Sequence, residues 1–243
     1  MNIRFMTYNI QHGMDHARYL KDRAHVIDLG LTAKVISCYK PDIVGLNEVR
    51  DRGAHAEYRE QTREMADRLG YEHCYFAKAV DMGDGPYGNA ILSRFPMRSA
   101  VTVPIPDPMF RPEKRGFETR CILKAEFEAP ARFDVLISHF GLNPAEQRSA
   151  VATLLELTET RQAPVVFMGD LNMEPDDPTL APVFRALHDA AALLPPDTKS
   201  FPSEKPQIKI DYIFASDEFR AAAAEIPQAV ASDHCPHIAD LSL

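Results

Sequence analysis

Cysteine is scarce in this sequence, and its four residues form no paired motif. They are scattered along 243 residues without Cys-x-x-Cys spacing, at Cys38, Cys74, Cys121 and Cys235. Zinc sites and disulfide frameworks use closely and regularly spaced cysteines, so the sequence predicts neither. Reduced, mostly buried thiols in a cytoplasmic protein are the expected alternative.

Long apolar runs are also lacking. The apolar stretches are short and interrupted, so no membrane span is predicted and we expect no integral association with a membrane. The first ten residues, MNIRFMTYNI, show no basic region followed by a long apolar stretch, so the pattern predicts no signal peptide.

Positive charge is in deficit. The chain has 27 Lys and Arg residues against 35 Asp and Glu residues, a formal net charge of −8. An acidic chain repels polyanions at long range unless its charge is segregated, so nucleic acid is not the favoured substrate. The excess of carboxylates is consistent with a metal site.

The remaining composition is that of a soluble globular protein, with 45% hydrophobic and 26% charged residues. No repeat or composition shift marks a boundary, so residues 1–243 are predicted to form a single domain. Runs with strand character, such as Asn2–Asn9, alternate with stretches of helical period, such as Arg23–Tyr39.

Further helices are predicted over 57–69, from Pro144 to about residue 160, and near 178–187. Strands outnumber helices and several follow one another at hairpin length, so we expect an α/β fold with mixed sheets. Two proline-rich segments, 104–117 and 195–207, are predicted to be long loops, which in compact domains are often functional.

Polar residues recur where the predicted apolar strands begin or end. Ligands of α/β proteins bind at the rims of sheets, and five strands independently deliver such a residue. The residues are Glu48, His139, Asp170, Asn172, Asp211, Asp233 and His234.

Taken alone, each of these residues has a simpler structural explanation. Asp170 lies in good turn chemistry, Glu48 fits a surface strand end, and a lone His139 or His234 fits a satisfied rim histidine. Asp211 is harder to explain in this way, because a carboxylate inside the apolar run IKIDYIF needs a partner if it is buried.

Seven strings occur in order from residue 6 almost to the C-terminus: MTYNI, IVGLNEV, GNAILSRFP, SHFGL, MGDLNMEP, KIDYIFAS and SDHCPHIADL. In these strings, and above all in GDLN and SDH with an upstream NE, the chain resembles the endonuclease/exonuclease/phosphatase superfamily. That superfamily of metal-dependent hydrolases includes DNase I-like nucleases, neutral sphingomyelinases and inositol-polyphosphate phosphatases. The resemblance implies a four-layer sandwich of two mixed β-sheets packed face to face and flanked by helices.

The resemblance also implies a metal site. Glu48 would be the principal ligand of Mg²⁺ or Mn²⁺, Asn9 would lie beside the ion, and Asp233 would be a ligand or a nearby acid. Oxygen donors without cysteine suit these hard cations. Gln11 departs from the pattern, because many nucleases of the family carry a charged residue there. This difference argues against a second metal contact from this loop.

Catalytic roles follow from the same resemblance. Asp170 would orient or deprotonate the attacking water, and Asn172 would hold a phosphate oxygen. His234 would contact the phosphoryl group while Asp211 accepts its other ring proton. His139 would stabilise charge from the opposite side, and a histidine here resembles the DNase I-like, sphingomyelinase-like and inositol-phosphatase-like members.

Candidate substrate-binding residues are Asn89, Arg111 and Arg115. Relatives position substrate near Asn89, although a strand-start amide is an equally good explanation. The two arginines would either clamp an anionic head group or belong to an ordinary solvated loop. Glu118 and Arg120 are expected to form a structural ion pair.

The leading hypothesis is a metal-dependent phosphodiesterase or phosphatase acting on a small or lipid-derived phosphoester. A nuclease with the same chemistry is the runner-up. A non-catalytic binding module is less favoured, because a degenerate copy should have lost at least one site residue and all eight are present. The eight are Asn9, Glu48, His139, Asp170, Asn172, Asp211, Asp233 and His234. The sequence leaves open the substrate, the number of metal ions and the oligomeric state.

Overall fold

Two mixed sheets enclosed by helices make up the architecture. The computed structural model describes residues 1–53, 59–83, 85–109 and 117–243. The strands are β1 (Asn2–Asn9), β2 (Ile43–Arg50), β3 (His73–Met82), β4 (Gly85–Ser93), β5 (Met97–Pro104), β6 (Cys121–Phe127), β7 (Phe133–His139), β8 (Val165–Asp170), β9 (His188–Asp189), β10 (Asp211–Ala215), β11 (Arg220–Glu225) and β12 (His237–Ser242). The α-helices are α1 (His16–Asp22), α2 (Leu29–Tyr39), α3 (Gln61–Leu69), α4 (Pro144–Glu159) and α5 (Ala181–Ala186). Within these ranges, no helix is long and apolar enough to cross a membrane.

The described strands form one sheet in the order β11-β12-β1-β2-β4-β3 and a second in the order β5-β6-β7-β8-β10-β9. Each sheet contains one parallel pair, β1 with β2 and β7 with β8. A helical connection joins the members of each pair, α1 and α2 in the first sheet and α4 in the second. Because parallel strands end at the same edge, each sheet gathers two carboxyl ends at one rim.

Both faces of each sheet are apolar because both are covered. The inner faces pack on each other through residues such as Phe5 and Ile137. Helices α2 and α3 cover the first sheet through Ile36 and Met65, and helices α4 and α5 cover the second through residues such as Leu154. The predicted four-layer sandwich of two mixed sheets is confirmed.

Some element boundaries differ from the sequence prediction. The helix predicted from residue 23 begins at Leu29, because the Asp28 side chain accepts a hydrogen bond from the Gly30 N–H at 2.8 Å and caps it there. The helices predicted over 57–69 and 178–187 are shorter, beginning at residues 61 and 181, with residues 57 and 58 outside the described part. The pattern predicts no element for α1, β5 or β11. In β11 an exposed alanine-rich segment is extended because it pairs with β12.

Glycine is required where β8 approaches its end. Gly169 has φ +152°, and a Cβ atom there would overlap the backbone carbonyl oxygen of Ser138 on β7. The obstacle is backbone of a paired strand, so no side-chain movement relieves it. Gly169 therefore fixes the approach of the chain to the next residue, Asp170.

We expect Gly169→Ala to lower the free energy of unfolding by about 3 kcal/mol or more, because backbone strain and overpacking act together. Gly70→Ala is the matched control, since Gly70 also has a positive φ, +71°, but has nothing within 4 Å of an added Cβ. Its cost should be about 1–2 kcal/mol. Urea denaturation of both variants measures the difference, and equal losses would contradict the prediction.

Candidate active site

Polar side chains from both sheets meet at one rim. In the second sheet, His139 on β7 pairs across to Asp170 on β8, and Asp211 on β10 pairs with the same Asp170 from the other side. From the first sheet, Asn9 ends β1 and His234 precedes β12. Strand register therefore brings together residues that are far apart in the sequence.

At the centre of this rim, the buried side chains of Asp211, His234 and Asp170 contact one another in that order, like links of a chain. The Nδ1 atom of His234 lies 2.9 Å from Oδ2 of Asp211, and its Nε2 atom lies 3.5 Å from Oδ2 of Asp170. An ionised carboxylate can only accept, so Nδ1 carries a hydrogen. Ligand atoms of these residues lie within 4.8 Å of one another, a spacing that could also hold a metal ion.

The charges in this chain stabilise one another. Burial by itself would lower the pKa of His234, but the carboxylates of Asp211 and Asp170 outweigh it and raise the pKa to about 10. Burial raises the pKa of Asp170 above its usual value, and the nearby imidazolium of His234 opposes that shift. The arrangement favours a protonated His234 near neutral pH, whereas burial brings the pKa of Asp170 up to about 7.

Glu48 reaches the same space through a distortion of β2. The register between β2 and β4 shifts between Leu46 and Val49, and Glu48 adopts φ +58°, a left-handed conformation that costs a non-glycine residue about 1–3 kcal/mol. The Nδ2 atom of Asn9 donates to Oε1 of Glu48 and to Oδ2 of Asp170, each at 3.0 Å. Strain of this kind is concentrated at functional sites.

Carboxylates dominate this part of the site. Burial raises the pKa of Glu48; the hydrogen bond from Asn9 opposes the shift, and the charge of Asp233 adds to it. A divalent cation would offset this crowding of negative charge, and the oxygen-rich donor set fits Mg²⁺ or Mn²⁺. Asn9 turns its amide nitrogen towards Glu48 while its oxygen accepts from the Gln11 N–H at 3.0 Å, which fits a place beside the ion.

The opposite side of the site is built from donors. The Nδ2 atom of Asn172 donates to the carbonyl oxygen of Phe140 at 2.9 Å and lies 3.0 Å from Nε2 of His139. Arg120 places Nη1 3.1 Å from Nδ1 of His139 and Nη2 2.9 Å from Oε2 of Glu118. The expected ion pair of Glu118 and Arg120 is therefore present, but it lies in the site.

These side chains surround an open cleft of about 390 Å³. Asn9, Asp170 and Asp211 lie beneath its surface and are at most 1% exposed. Phe201, from the second long loop, stands with its ring centroid 4.8 Å from that of His234. The lining residues are His12, Glu48, Arg50, Met82, Tyr87, Glu118, Arg120, His139, Leu142, Asn172, Phe201, Asp233 and His234.

Of the candidate substrate-binding residues, the structure describes only Asn89. Asn89 is 2% exposed; it accepts a hydrogen bond from Nδ2 of Asn47 at 2.8 Å and donates to the carbonyl oxygen of Cys121 at 3.2 Å, and it does not line the cleft. Arg111 and Arg115 lie outside the described residues.

Among the residues that the sequence did not mark as part of the site, Asn47 and Arg120 contact the predicted catalytic residues directly. Asn47 directly precedes Glu48 in the string IVGLNEV, and its Oδ1 accepts a hydrogen bond from the N–H of Asp170 at 3.0 Å. Arg120 carried no signal beyond a charge opposite to that of Glu118, and only the strand pairing of β6 with β7 brings it near His139.

Comparison with known proteins agrees with this geometry. The model of the Endonuclease/Exonuclease/phosphatase family matches residues 6–234. Comparison with curated proteins finds no match. The solved structure of an endonuclease/exonuclease/phosphatase from Beutenbergia cavernae DSM 12333 is 25% identical, with a TM-score of 0.78, and the match covers 100% of this chain and 72% of that chain.

Two more distant structures share the fold. A mannosyl-6-phosphatase from Bacteroides thetaiotaomicron VPI-5482 is 17% identical over 99% of this chain and 100% of its own, with a TM-score of 0.75. The catalytic domain of human Nocturnin, solved with a bound sulfate anion, is 21% identical over 99% of this chain and 93% of its own, with a TM-score of 0.71. The chain thus belongs to the endonuclease/exonuclease/phosphatase family, whose members hydrolyse phosphoester bonds.

The central chain of three residues predicts a bell-shaped pH dependence. With Asp170 as the expected base and His234 as the expected cation, turnover would require an ionised Asp170 and a protonated His234. The acidic limb should then lie above the usual aspartate pKa and the alkaline limb near pH 10. Asp211→Asn should move the alkaline limb to lower pH, because the imidazolium loses a carboxylate partner. The profile of kcat against pH measures both limbs.

Asp240→Asn is the matched control for this substitution. Asp240 accepts two hydrogen bonds at 2.7 Å from Arg4, away from the cleft, so its loss should leave the pH profile unchanged. An alkaline limb that stays in place in Asp211→Asn would contradict the assigned role of the pair.

Proposed function

We propose that this protein is a divalent-metal-dependent phosphodiesterase or phosphatase that acts on a small or lipid-derived phosphoester. The observation that carries the proposal is the buried chain Asp211–His234–Asp170 beside Glu48, at the floor of an open cleft. It places the Asp170 carboxylate 3.5 Å from a histidine that is hydrogen-bonded to Asp211, next to the further carboxylate of Glu48, and so brings together a base, a cation and oxygen ligands of the kind that hydrolysis at phosphorus uses.

The metal would be held by Glu48 and Asp233, with Asn9 beside it. When bound, it would supply positive charge to the phosphoryl oxygens and lower the pKa of a bound water. The eight residues on which the resemblance rests line the cleft or lie beneath its surface, which supports an enzyme over a non-catalytic binding module. They are Asn9, Glu48, His139, Asp170, Asn172, Asp211, Asp233 and His234.

The protein's own residues divide the remaining work. Asp170 would orient a water molecule and take its proton as the water oxygen bonds to phosphorus and the bond to the leaving oxygen breaks. The leaving oxygen would take up a proton from solvent in the open cleft. The imidazolium of His234 would stabilise charge on the phosphoryl oxygens, with Asp211 holding its orientation. Asn172 and His139 would donate hydrogen bonds from the other side.

Chelation should abolish turnover, because the carboxylates around Glu48 would lose the cation that they require. Glu48→Gln should weaken the binding of Mg²⁺ or Mn²⁺ by at least about tenfold, or ~1.4 kcal/mol, without unfolding the protein. Titration calorimetry with each ion measures the affinity. Glu118→Gln is the control in the same cleft, since Glu118 pairs with Arg120 and should affect metal affinity less. Full activity in excess EDTA would refute the proposal.

Features of the cleft support a small or lipid-derived substrate. Its lining combines the cations Arg50 and Arg120 with the apolar side chains of Met82, Leu142 and Phe201, and Leu142 is 73% exposed. Such a surface suits an anionic group attached to a partly apolar body. The mannosyl-6-phosphatase among the structural relatives is consistent with a small phosphoester.

A nuclease remains the second candidate, because the family includes endonucleases and exonucleases. With a net charge of −8, we expect weak and salt-sensitive binding to DNA. Initial rates across DNA, RNA, nucleotides, sugar phosphates, inositol phosphates and phospholipids should be highest outside the nucleic acids. Tight duplex binding near physiological salt, with faster cleavage of DNA or RNA, would reverse the ranking.

A further inference from the structure

Arg120 and His139 form a contact whose chemistry restricts the histidine. Arg120 is 8% exposed and His139 is 6% exposed, so both side chains are largely withdrawn from water. The Nη1 atom of Arg120 lies 3.1 Å from Nδ1 of His139. A guanidinium group has five N–H donors and no acceptor, so Nδ1 must be the acceptor and cannot carry a hydrogen.

The second ring nitrogen has a donor beside it as well. Nε2 of His139 lies 3.0 Å from Nδ2 of Asn172, an amide nitrogen anchored by its hydrogen bond to the carbonyl oxygen of Phe140. An imidazolium ring would turn both of its N–H groups towards donors. A neutral ring carries only one N–H hydrogen. Placing it on Nδ1, towards the charged guanidinium of Arg120, is less favourable than placing it on Nε2, towards the neutral amide of Asn172.

Nε2 is also the ring nitrogen that has a carboxylate oxygen near it. Oδ2 of Asp170 lies 3.5 Å from it. A hydrogen on Nε2 is therefore compatible with Asp170, whereas a hydrogen on Nδ1 would face the guanidinium. Burial, together with the charge of Arg120, also holds the pKa of His139 well below its usual value.

We propose that Arg120 is a positioning residue that fixes His139 as the neutral tautomer with its hydrogen on Nε2. This goes beyond the proposed hydrolysis, on which only the kinetic part of its test depends. His139 then has a single neutral N–H, which faces Asp170 in the absence of substrate and would donate to the phosphoryl group when substrate is bound, and the ring supplies no proton to the leaving oxygen. The positive charge on this side of the cleft belongs to Arg120, behind the ring.

The restriction separates the two histidines of the site. His234 lies near two carboxylates, which favour a cationic ring, whereas His139 lies between two donors, which favour a neutral ring. Exchanging the roles would leave a cation facing Arg120. The two rings therefore contribute different interactions although both approach Asp170.

Nitrogen-15 NMR of the histidine rings, recorded at pH 7.5 with Mg²⁺ present, tests the tautomer directly. His139, assigned by comparison with His139→Ala, should show an unprotonated Nδ1 and a protonated Nε2. In Arg120→Gln that pattern should weaken into a mixture of tautomers. Arg50→Gln removes another cation from the same cleft and should leave the His139 signals unchanged. A Nδ1–H tautomer or an imidazolium in the unaltered protein would overturn the proposal.

A double-mutant cycle tests whether Arg120 acts through His139. Arg120→Gln should lower kcat by about ten- to a hundredfold, the usual effect of losing a group that orients a site residue. In a His139→Ala background the same substitution should change kcat less than about twofold. If the effects of the two substitutions on kcat instead multiply, Arg120 acts independently of His139, for example by contacting the substrate itself, and the positioning role would be overturned. If the unaltered protein hydrolyses no phosphoester, the proposed function fails while the NMR result still decides the tautomer.

Discussion

The side-chain amide of Asn47 joins the two sheets at the point where the site is assembled. Its Oδ1 accepts from the N–H of Asp170, and its Nδ2 donates to the carbonyl oxygen of Ser138 and to Oδ1 of Asn89. Because this amide bonds to the backbone of the facing sheet, it fixes the position of the end of β8 relative to β2. Without it, several buried polar groups would lose their partners at about 1–3 kcal/mol each. Asn89, expected as a substrate contact, belongs to this bridge.

Charge is arranged in an alternating sequence across the rim. Carboxylates of Asp211 and Asp170 enclose the imidazolium of His234, and Glu48 lies on the other side of Asn9. Among the described residues of the rim, acids and cations have an opposite charge or a donor close by, except around Glu48, where we propose that a metal ion binds. The same alternation explains why the polar cluster tolerates burial, since unpaired charges in such a place are costly.

The sequence predicted what depends on local periodicity and on strand ends. Asn9, His139 and Asp170 each end an apolar strand, and such strands gather at a rim whenever their pairing is parallel. What it did not predict depends on pairing between distant segments. The left-handed backbone of Glu48 arises from a register shift against β4, the extended form of β11 from β12, and the position of Arg120 from β7. A charge such as that of Arg120 has no period or spacing that marks it as part of a site.

The position of β12 between β11 and β1 has a consequence for folding. The site needs Asn9 and His234, which are 225 positions apart, and they meet only when the last strand in chain order pairs with the first. We expect contacts of such long range to form late, because closing a long loop costs entropy before any pairing compensates for it. During synthesis, most strands of both sheets would therefore be able to pair before β12, and with it the active site, is in place. Chemical competence is thus a property of the finished topology, absent from any partly folded chain in which β12 has not yet docked.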